Sequence, residues 1–146
     1  MPFALAIGNR QRAVRFSLAT VRAIALPARS ACLSALRFPE APLASLAEIE
    51  ATIVSDRQIA RVHGQFFADP TPTDVITFQH GEILIGAETV AENAARYGHS
   101  PDHEAALCVI HGLLHLAGWD DLTARDAKQM AKLQEQIFKT ARKMID

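Results

Sequence analysis

The sequence has few cysteines and no long apolar run, and each shortage excludes a class of protein. Its two cysteines, Cys32 and Cys108, are too few for the disulfide framework of a small secreted domain. No apolar stretch approaches the ~20 residues that a membrane-spanning helix needs. The 146 residues, 49% hydrophobic and 21% charged, suit one globular domain. We therefore expect a single domain, residues 1–146, in the reducing cytoplasm and without a membrane partner.

Acidic residues are missing from the first 39 positions, which hold six arginines: Arg10, Arg12, Arg15, Arg22, Arg29 and Arg37. The net charge of −1 hides this asymmetry, because all 16 acidic residues follow, beginning with Glu40. Three interpretations stay open. The arginines can form the solvated face of a first strand and helix, can face an anionic partner such as nucleic acid, or can belong to an organelle transit peptide.

Apolar periodicity and capping residues predict an α+β fold, a small mixed β-sheet packed with several helices. Strands are predicted at residues 3–7, 48–53, 75–78 and 82–85, the last two joined as a hairpin by residues 79–81. Helices are predicted at residues 17–37, 55–67, 88–97 and 101–117, and a last one follows Thr123. Within the first of these helices, Pro27 must break or kink the chain.

The residues with the clearest chemistry lie in His111-Gly-Leu-Leu-His115-Leu-Ala-Gly118-Trp-Asp120-Asp121. Side chains four apart share one face of an α-helix, so His111 and His115 can aim two imidazoles at one point. Gly118 ends the helix and permits a sharp turn, which can bring Asp121 back to the same point. Two imidazoles and one carboxylate suit Zn²⁺ and leave a fourth position for water, whose pKa falls to about 7 on binding. We therefore predict one Zn²⁺ per chain on this helix, with the metal-bound water as the reactive group.

Other readings of this stretch stay open. The two histidines can be ordinary core or surface residues, since such pairs are common. Asp120 is a rival third ligand, and Cys108 lies three residues before His111, although its apolar neighbours favour a plain core cysteine. The remaining histidines have no partner at ligand spacing and are expected to form surface or local hydrogen bonds, His103 being a distant candidate ligand: His63, His80, His99 and His103.

The same spacing occurs in zinc peptidases of the H-E-x-x-H type, where the glutamate after the first histidine is the general base. Here that position is Gly112. Without the carboxylate, peptide hydrolysis loses the group that takes the proton from water, so a peptidase is disfavoured.

Three motifs in order resemble the YbeY family of bacterial rRNA maturation factors, metal-dependent single-strand endoribonucleases. The family pattern H-G-x-L-H-L-x-G-Y-D-H is similar to residues 111–121. Its P-T-D-V-L-S-F pattern resembles residues 72–78, and G-D-I-x-I resembles residues 81–85. The resemblance spans about residues 54–138 and implies that His111 and His115 are zinc ligands.

Two positions depart from the family pattern. Asp121 stands where the family has its third ligand, a histidine, and carboxylate oxygen is a competent zinc ligand that makes the centre less positive. The family run N-x-x-Y-R corresponds to residues 63–67, so His63 replaces the asparagine and Phe67 the arginine. An arginine beside a metal can hold phosphate, and its loss leaves that role unassigned, with Arg61 or an N-terminal arginine as substitutes.

The resemblance implies hydrolysis of RNA phosphodiesters in maturation of the small-subunit rRNA 3′ end, with ribosomal RNA and ribosomal proteins as partners. The basic N-terminal region can bind phosphates electrostatically. Aromatic residues make up only 6% of the chain, so we expect no base-stacking surface and weak sequence-specific readout. Two alternatives remain, a non-catalytic zinc-stabilised ribosome-associated RNA-binding factor and a zinc hydrolase of another substrate. The general base and the oligomeric state stay open.

Overall fold

The computed structural model describes residues 2–145, and over this range it contains five α-helices and four β-strands, the α+β class that the sequence predicts. In chain order the elements are β1 (Ala4–Asn9), α1 (Leu18–Ser34), a 3₁₀ turn (Pro42–Ala44), β2 (Glu48–Val54), α2 (Asp56–Phe67), β3 (Val75–Phe78), β4 (Glu82–Gly86), α3 (Ala87–Tyr97), α4 (Pro101–Leu116) and α5 (Ala124–Lys143).

The four strands form one mixed sheet in the order β1-β2-β4-β3. β1 runs parallel to β2, with Ile7 opposite Ala51, and β2 runs parallel to β4, with Ile53 opposite Ile85. β3 and β4 are antiparallel and form the predicted hairpin, closed by a hydrogen bond from the Gly81 N–H to the Phe78 carbonyl. The mixed sheet of the sequence prediction is therefore confirmed.

Helices cover the two faces of the sheet unequally. Ile49, Ile53 and Ile83 face the main core, which α1, α4 and α5 complete. On the opposite face, Leu84 packs against Ile59 of α2 in a smaller cluster. The polar and apolar alternation expected of β2 therefore holds for Glu48–Ala51 but ends at residues 52–54, which are buried on both faces.

α4 is the central helix, and Gly112 lets it approach the sheet closely. A β-carbon at Gly112 would lie 2.7 Å from Ile83 Cδ1 and 3.0 Å from its Cγ1. The nearest atom is the end of a flexible side chain, so a larger residue would require Ile83 to move or the helix to shift. A glutamate at this position, the general base of the zinc peptidases, would fit only after this contact repacks.

Helix ends follow the sequence signals, while the first helix is not broken at Pro27. The hydroxyls of Ser55, Ser100 and Thr123 accept hydrogen bonds from backbone N–H groups in the first turns of α2, α4 and α5. α1 is continuous from Leu18 to Ser34 with Pro27 inside it, so the expected break does not occur. Buried neighbours on one face hold the helix against the sheet and offset the lost hydrogen bond: Val21, Ile24, Ala25 and Ala28. Within residues 2–145, no helix combines the length and apolar character needed to cross a bilayer.

Candidate metal centre

The last two turns of α4 and the loop after it bring His111, His115 and Asp121 together. The Nε2 atoms of the two histidines lie 3.0 Å apart. Asp121 Oδ2 lies 3.8 Å from His111 Nε2 and 4.0 Å from His115 Nε2. Helical spacing accounts for the histidine pair, and the turn after the helix accounts for the carboxylate, as the sequence predicted.

The triangle formed by these three donor atoms has the size of a metal-binding site. The point equidistant from them lies about 2.1 Å from each, and zinc binds histidine nitrogen and carboxylate oxygen at roughly 2.0–2.2 Å. The two imidazoles are about three-quarters buried and the carboxylate half-exposed, which leaves one side of the triangle open.

Hydrogen bonds on the far side of each imidazole fix which nitrogen is free. His111 Nδ1 lies 2.8 Å from Gln134 Oε1, and His115 Nδ1 lies 3.0 Å from the Trp119 carbonyl oxygen. Each acceptor favours the tautomer with hydrogen on Nδ1, so both Nε2 atoms present lone pairs to each other at 3.0 Å. Two facing lone pairs repel, and a cation between them removes the repulsion. The donor chemistry therefore fits a metal ion.

The electrostatic environment of His115 also favours its neutral, metal-binding form. Burial lowers the pKa of His115, and nearby His111 lowers it further. The Trp119 carbonyl and the carboxylates of Asp121 and Asp120 act in the opposite direction but do not outweigh burial. A histidine must be neutral to bind a metal, so this balance helps at neutral pH.

Gly118 makes the turn that delivers Asp121. Its φ of +100° is a left-handed conformation that residues with a β-carbon avoid. Its N–H donates to the His115 carbonyl at 3.0 Å, and a β-carbon there would lie 2.8 Å from the Phe38 ring. Glycine is therefore needed both for the helix end and for the close approach of Phe38.

Asp120, the rival third ligand, has other partners and is not grouped with the histidine pair. Its Oδ2 lies 3.2 Å from Arg37 Nη1, and its Oδ1 accepts the Leu122 N–H at 3.2 Å. The Arg37 guanidinium also reaches Asp126 Oδ1 at 3.3 Å and lies 5.4 Å from the centre of the Trp119 ring. Asp120 thus joins the loop to the segment after α1, while the carboxylate of Asp121 lies with the two imidazoles.

The four other histidines form local contacts, as expected. His80 Nε2 lies 3.3 Å from Glu82, and His99 Nε2 lies 2.6 Å from Glu104. His103 stacks between His99 and Phe138 with ring centres 4.0 and 4.2 Å away, and burial is the main reason that its pKa falls to about 4. His63 Nδ1 lies 2.9 Å from the Thr71 carbonyl oxygen.

Cys108 is buried, with 3% of its surface exposed, and stands apart from the histidine group. Its sulfur lies within 4.8 Å of carboxylate oxygens of Asp74 and Glu104. Burial raises the pKa of Cys108 well above its usual value, and the two carboxylates raise it further. The thiol therefore stays protonated, in keeping with the predicted core cysteine.

The donor triangle opens into a cleft of about 590 Å³. His63 and Phe67 of α2, the positions that depart from the family pattern, line one wall, and Phe38 and Trp119 line another. The lining carries three carboxylates, those of Asp74, Asp120 and Asp121, and among residues 2–145 no lysine or arginine contributes to it. Phosphate binding inside the cleft therefore depends on groups other than basic side chains of the wall.

Half of the N-terminal arginines have structural partners. Arg22 donates to the Ile7 carbonyl at 2.8 Å, Arg29 donates to the Phe3 carbonyl at 3.0 Å, and Arg37 binds two aspartates. Arg10, Arg12 and Arg15 lie exposed in the segment between β1 and α1. All three interpretations of the basic segment therefore stay open, and Arg10, Arg12 and Arg15 are the residues most available to an anionic partner.

Gln134 is the site residue that the sequence analysis missed. It lies on α5, four residues after Met130 and four before Phe138, both of which are buried. A polar residue inside an apolar stripe is the signal that could have found it, because a half-buried amide needs a hydrogen-bonding partner. His63 was expected to be only a local hydrogen-bonding residue, and its place in the wall of the cleft was not foreseen.

Comparisons with known proteins agree on one group. A sequence model of the family described as Endoribonuclease YbeY matches residues 6–142. The protein of that name from Bacillus pumilus (strain SAFR-032) is 33% identical over 112 residues, 63% of this chain and 70% of the relative. The one from Symbiobacterium thermophilum is 34% identical over 119 residues, 69% of this chain and 76% of the relative. The solution structure of TM1509 from Thermotoga maritima is similar in fold, with a TM-score of 0.62 at 23% identity over 94% of this chain and 88% of that one.

Proposed function

This chain belongs to the endoribonuclease YbeY family, and we propose that it is a Zn²⁺-dependent hydrolase of single-stranded RNA that acts in maturation of the small-subunit rRNA 3′ end. His111, His115 and Asp121 would bind one zinc ion per chain. Its partners would be ribosomal RNA and ribosomal proteins, and it would act in the cytoplasm. The residues assigned to the metal and the choice of zinc are part of the proposal.

The observation that carries the proposal is a triangle of three donor atoms that faces an open cleft. Structural zinc sites have four protein ligands, while catalytic sites have three and keep one position for water or substrate. The other two candidate ligands, Asp120 and His103, have other partners. Asp120 is paired with Arg37, and His103 is stacked against His99 and Phe138. Three donors beside a cleft of about 590 Å³ favour a catalytic centre.

Each residue of the centre has a separate task. His111 and His115 present neutral nitrogens, Gln134 and the Trp119 carbonyl hold the rings in orientation, and Asp121 adds a negative charge. A bound zinc ion supplies Lewis acidity toward a phosphoryl oxygen and lowers the pKa of a coordinated water.

A non-catalytic, zinc-stabilised RNA-binding factor is the second candidate. It is favoured by the absence of lysine and arginine from the described cleft lining, because phosphoryl transfer usually uses a cation to hold the phosphate. A peptidase is disfavoured because Gly112 supplies no glutamate base, and because its close contact with Ile83 would have to repack to admit one.

The test compares wild type with Asp121→Ala and with the matched variant Asp120→Ala. Protein purified without added metal is assayed for metal content and for cleavage of a single-stranded RNA. We expect near-stoichiometric zinc and metal-dependent cleavage in wild type and in Asp120→Ala, and loss of both in Asp121→Ala. Zinc retained by Asp121→Ala but lost by Asp120→Ala would reverse the assignment. Zinc without cleavage in wild type would favour the binding factor, and absence of any metal would refute the proposal.

A further inference from the structure

Five aromatic rings lie together at the rim of the metal cleft, contributed by the end of α2 and by the β3–β4 hairpin: His63, Phe66, Phe67, Phe78 and His80. We call them the aromatic cluster. The Phe66 and Phe78 rings meet edge to face at 5.3 Å between centres, and Phe67 lies 6.3 Å from Phe78. His80 stacks on Phe78 at 5.5 Å, and His63 lies 5.8 Å from Phe67. An aromatic content of only 6% does not predict this grouping.

The two phenylalanines at the end of α2 are unusually exposed. Phe66 is 61% and Phe67 53% exposed, although a phenylalanine side chain gains about 1.5–3 kcal/mol from full burial. Phe66, seven residues after Ile59, continues the apolar face of α2, but neither phenylalanine belongs to the buried cluster around Ile59. Exposed rings that contact one another form a surface suited to a flat apolar ligand.

The aromatic cluster connects the metal cleft with a second groove. Phe67 and His63 line the metal cleft together with His111 and His115. Phe66, Phe78 and His80 line a neighbouring groove of about 340 Å³, which also includes Arg10. A strand whose phosphate lies at the donor triangle would therefore pass over the cluster as it leaves the cleft.

We propose that the aromatic cluster is a stacking surface for unpaired bases of the RNA strand, with Phe67 holding the base beside the reacting phosphate. This inference rests on the proposed function and adds how the substrate is held. The aromatic rings can stack on any base without reading its sequence. Phe67 stands at the position where the family pattern has an arginine, so the strand would be positioned through a base rather than through a phosphate.

Charge around the cluster is mixed, so the choice of a nucleic acid rests on exposed rings that continue from the metal cleft. Arg10 lines the second groove, and Arg57 and Arg61 lie exposed on α2, the helix that carries Phe66 and Phe67. Glu50 and Glu82 line the same groove. We therefore place the sugar-phosphate chain on the side of the arginines and the bases against the rings.

The test measures RNA binding separately from cleavage. Binding of a fluorescein-labelled oligouridylate of about eight residues is followed by anisotropy in the presence of EDTA, and compared with an abasic strand of the same length. Phe67→Leu and Phe66→Leu keep apolar character and good helix propensity. Tyr97→Leu is the matched control, since Tyr97 is 65% exposed on α3 and lines neither groove.

We expect each phenylalanine variant to bind oligouridylate roughly tenfold more weakly, the size of one lost stacking contact. Binding of the abasic strand should be unchanged, and Tyr97→Leu should behave as wild type. The loss should persist at higher salt, because stacking releases no counterions. Phe67→Trp should bind oligouridylate with about the affinity of wild type. The fluorescence of the new tryptophan should be quenched by oligouridylate and not by the abasic strand.

The outcomes separate this inference from the proposed function. Weaker binding by the variants without cleavage in wild type would support the stacking surface and refute the nuclease. Cleavage in wild type with equal binding by all variants would keep the nuclease and overturn the stacking surface. Equal loss on the abasic strand would also overturn it. Sedimentation velocity tests whether a second copy of the chain binds to the cluster instead of RNA. Self-association of wild type that is lost in Phe66→Leu would assign the rings to such an interface and overturn the stacking surface.

Discussion

Replacing Gln134 with leucine should weaken zinc binding without disturbing the fold. Gln134 Oε1 accepts a hydrogen bond from His111 Nδ1 at 2.8 Å, and this contact orients the ring and keeps Nε2 free. Groups that hold a metal-bound histidine in this way change metal affinity by about 10–100-fold when they are removed. Such a loss corresponds to roughly 1.4–2.7 kcal/mol of binding free energy. Leucine and glutamine have similar helix propensities, so α5 should remain intact.

Zinc affinity is measured by competition with a chromophoric chelator, for wild type, Gln134→Leu, Gln134→Glu and the exposed neighbour Gln136→Leu. Gln134→Glu should bind zinc at least as tightly as wild type, because a carboxylate is a stronger acceptor for the Nδ1 hydrogen. Gln136→Leu should match wild type. An unchanged affinity for Gln134→Leu, or an equal loss for Gln136→Leu, would refute the assigned role of this hydrogen bond.

Two further predictions concern stability. Because the pKa of His103 falls from 6.5 to about 4 in the folded chain, its neutral form contributes stability above pH 6.5 that is lost as the pH falls toward 4. The free energy of unfolding is measured with urea, in the presence of EDTA, at pH 7.5 and at pH 5. Between these two pH values, His103→Gln should lose about 1 kcal/mol less of this free energy than wild type, after allowance for solvent screening. Equal losses in the two proteins would contradict the prediction. Gly118→Ala should cost about 1–2 kcal/mol through its φ of +100° and should also weaken zinc binding by moving Asp121. Gly98→Ala, with φ +73° and no neighbour within 4 Å, should lose stability but keep the zinc affinity of wild type. An equal loss of zinc affinity in both variants would contradict the link between the Gly118 turn and the position of Asp121.

Features set by neighbours in sequence were predictable. The pairing of His111 with His115 follows from helical periodicity, and the role of Gly118 follows from the need for a left-handed residue at a helix end. The β3–β4 hairpin needed only a short connection between two apolar runs. Each of these depends on local geometry that a few residues determine.

Features set by residues far apart in sequence were not predictable. The partner of Asp120 is Arg37, 83 positions away, so the sequence could not say which of two adjacent aspartates would turn toward the histidines. Gln134 reaches His111 only because α5 packs beside α4. Burial of residues 52–54 of β2 and the assembly of the aromatic cluster both require α2 to lie on the second face of the sheet.

The two departures from the family pattern both lower the positive charge of the cleft. With Asp121 in place of a third histidine, a zinc centre has one positive charge less, and with Phe67 in place of arginine its wall loses another. The wall keeps the carboxylates of Asp74 and Asp120, so attraction of phosphate is weaker here than the pattern implies. Weaker attraction makes stacking on Phe67 and contact with distant arginines more important for holding a strand. The same two substitutions that favour a non-catalytic factor therefore also explain why a catalytic one would need an aromatic cluster beside its metal.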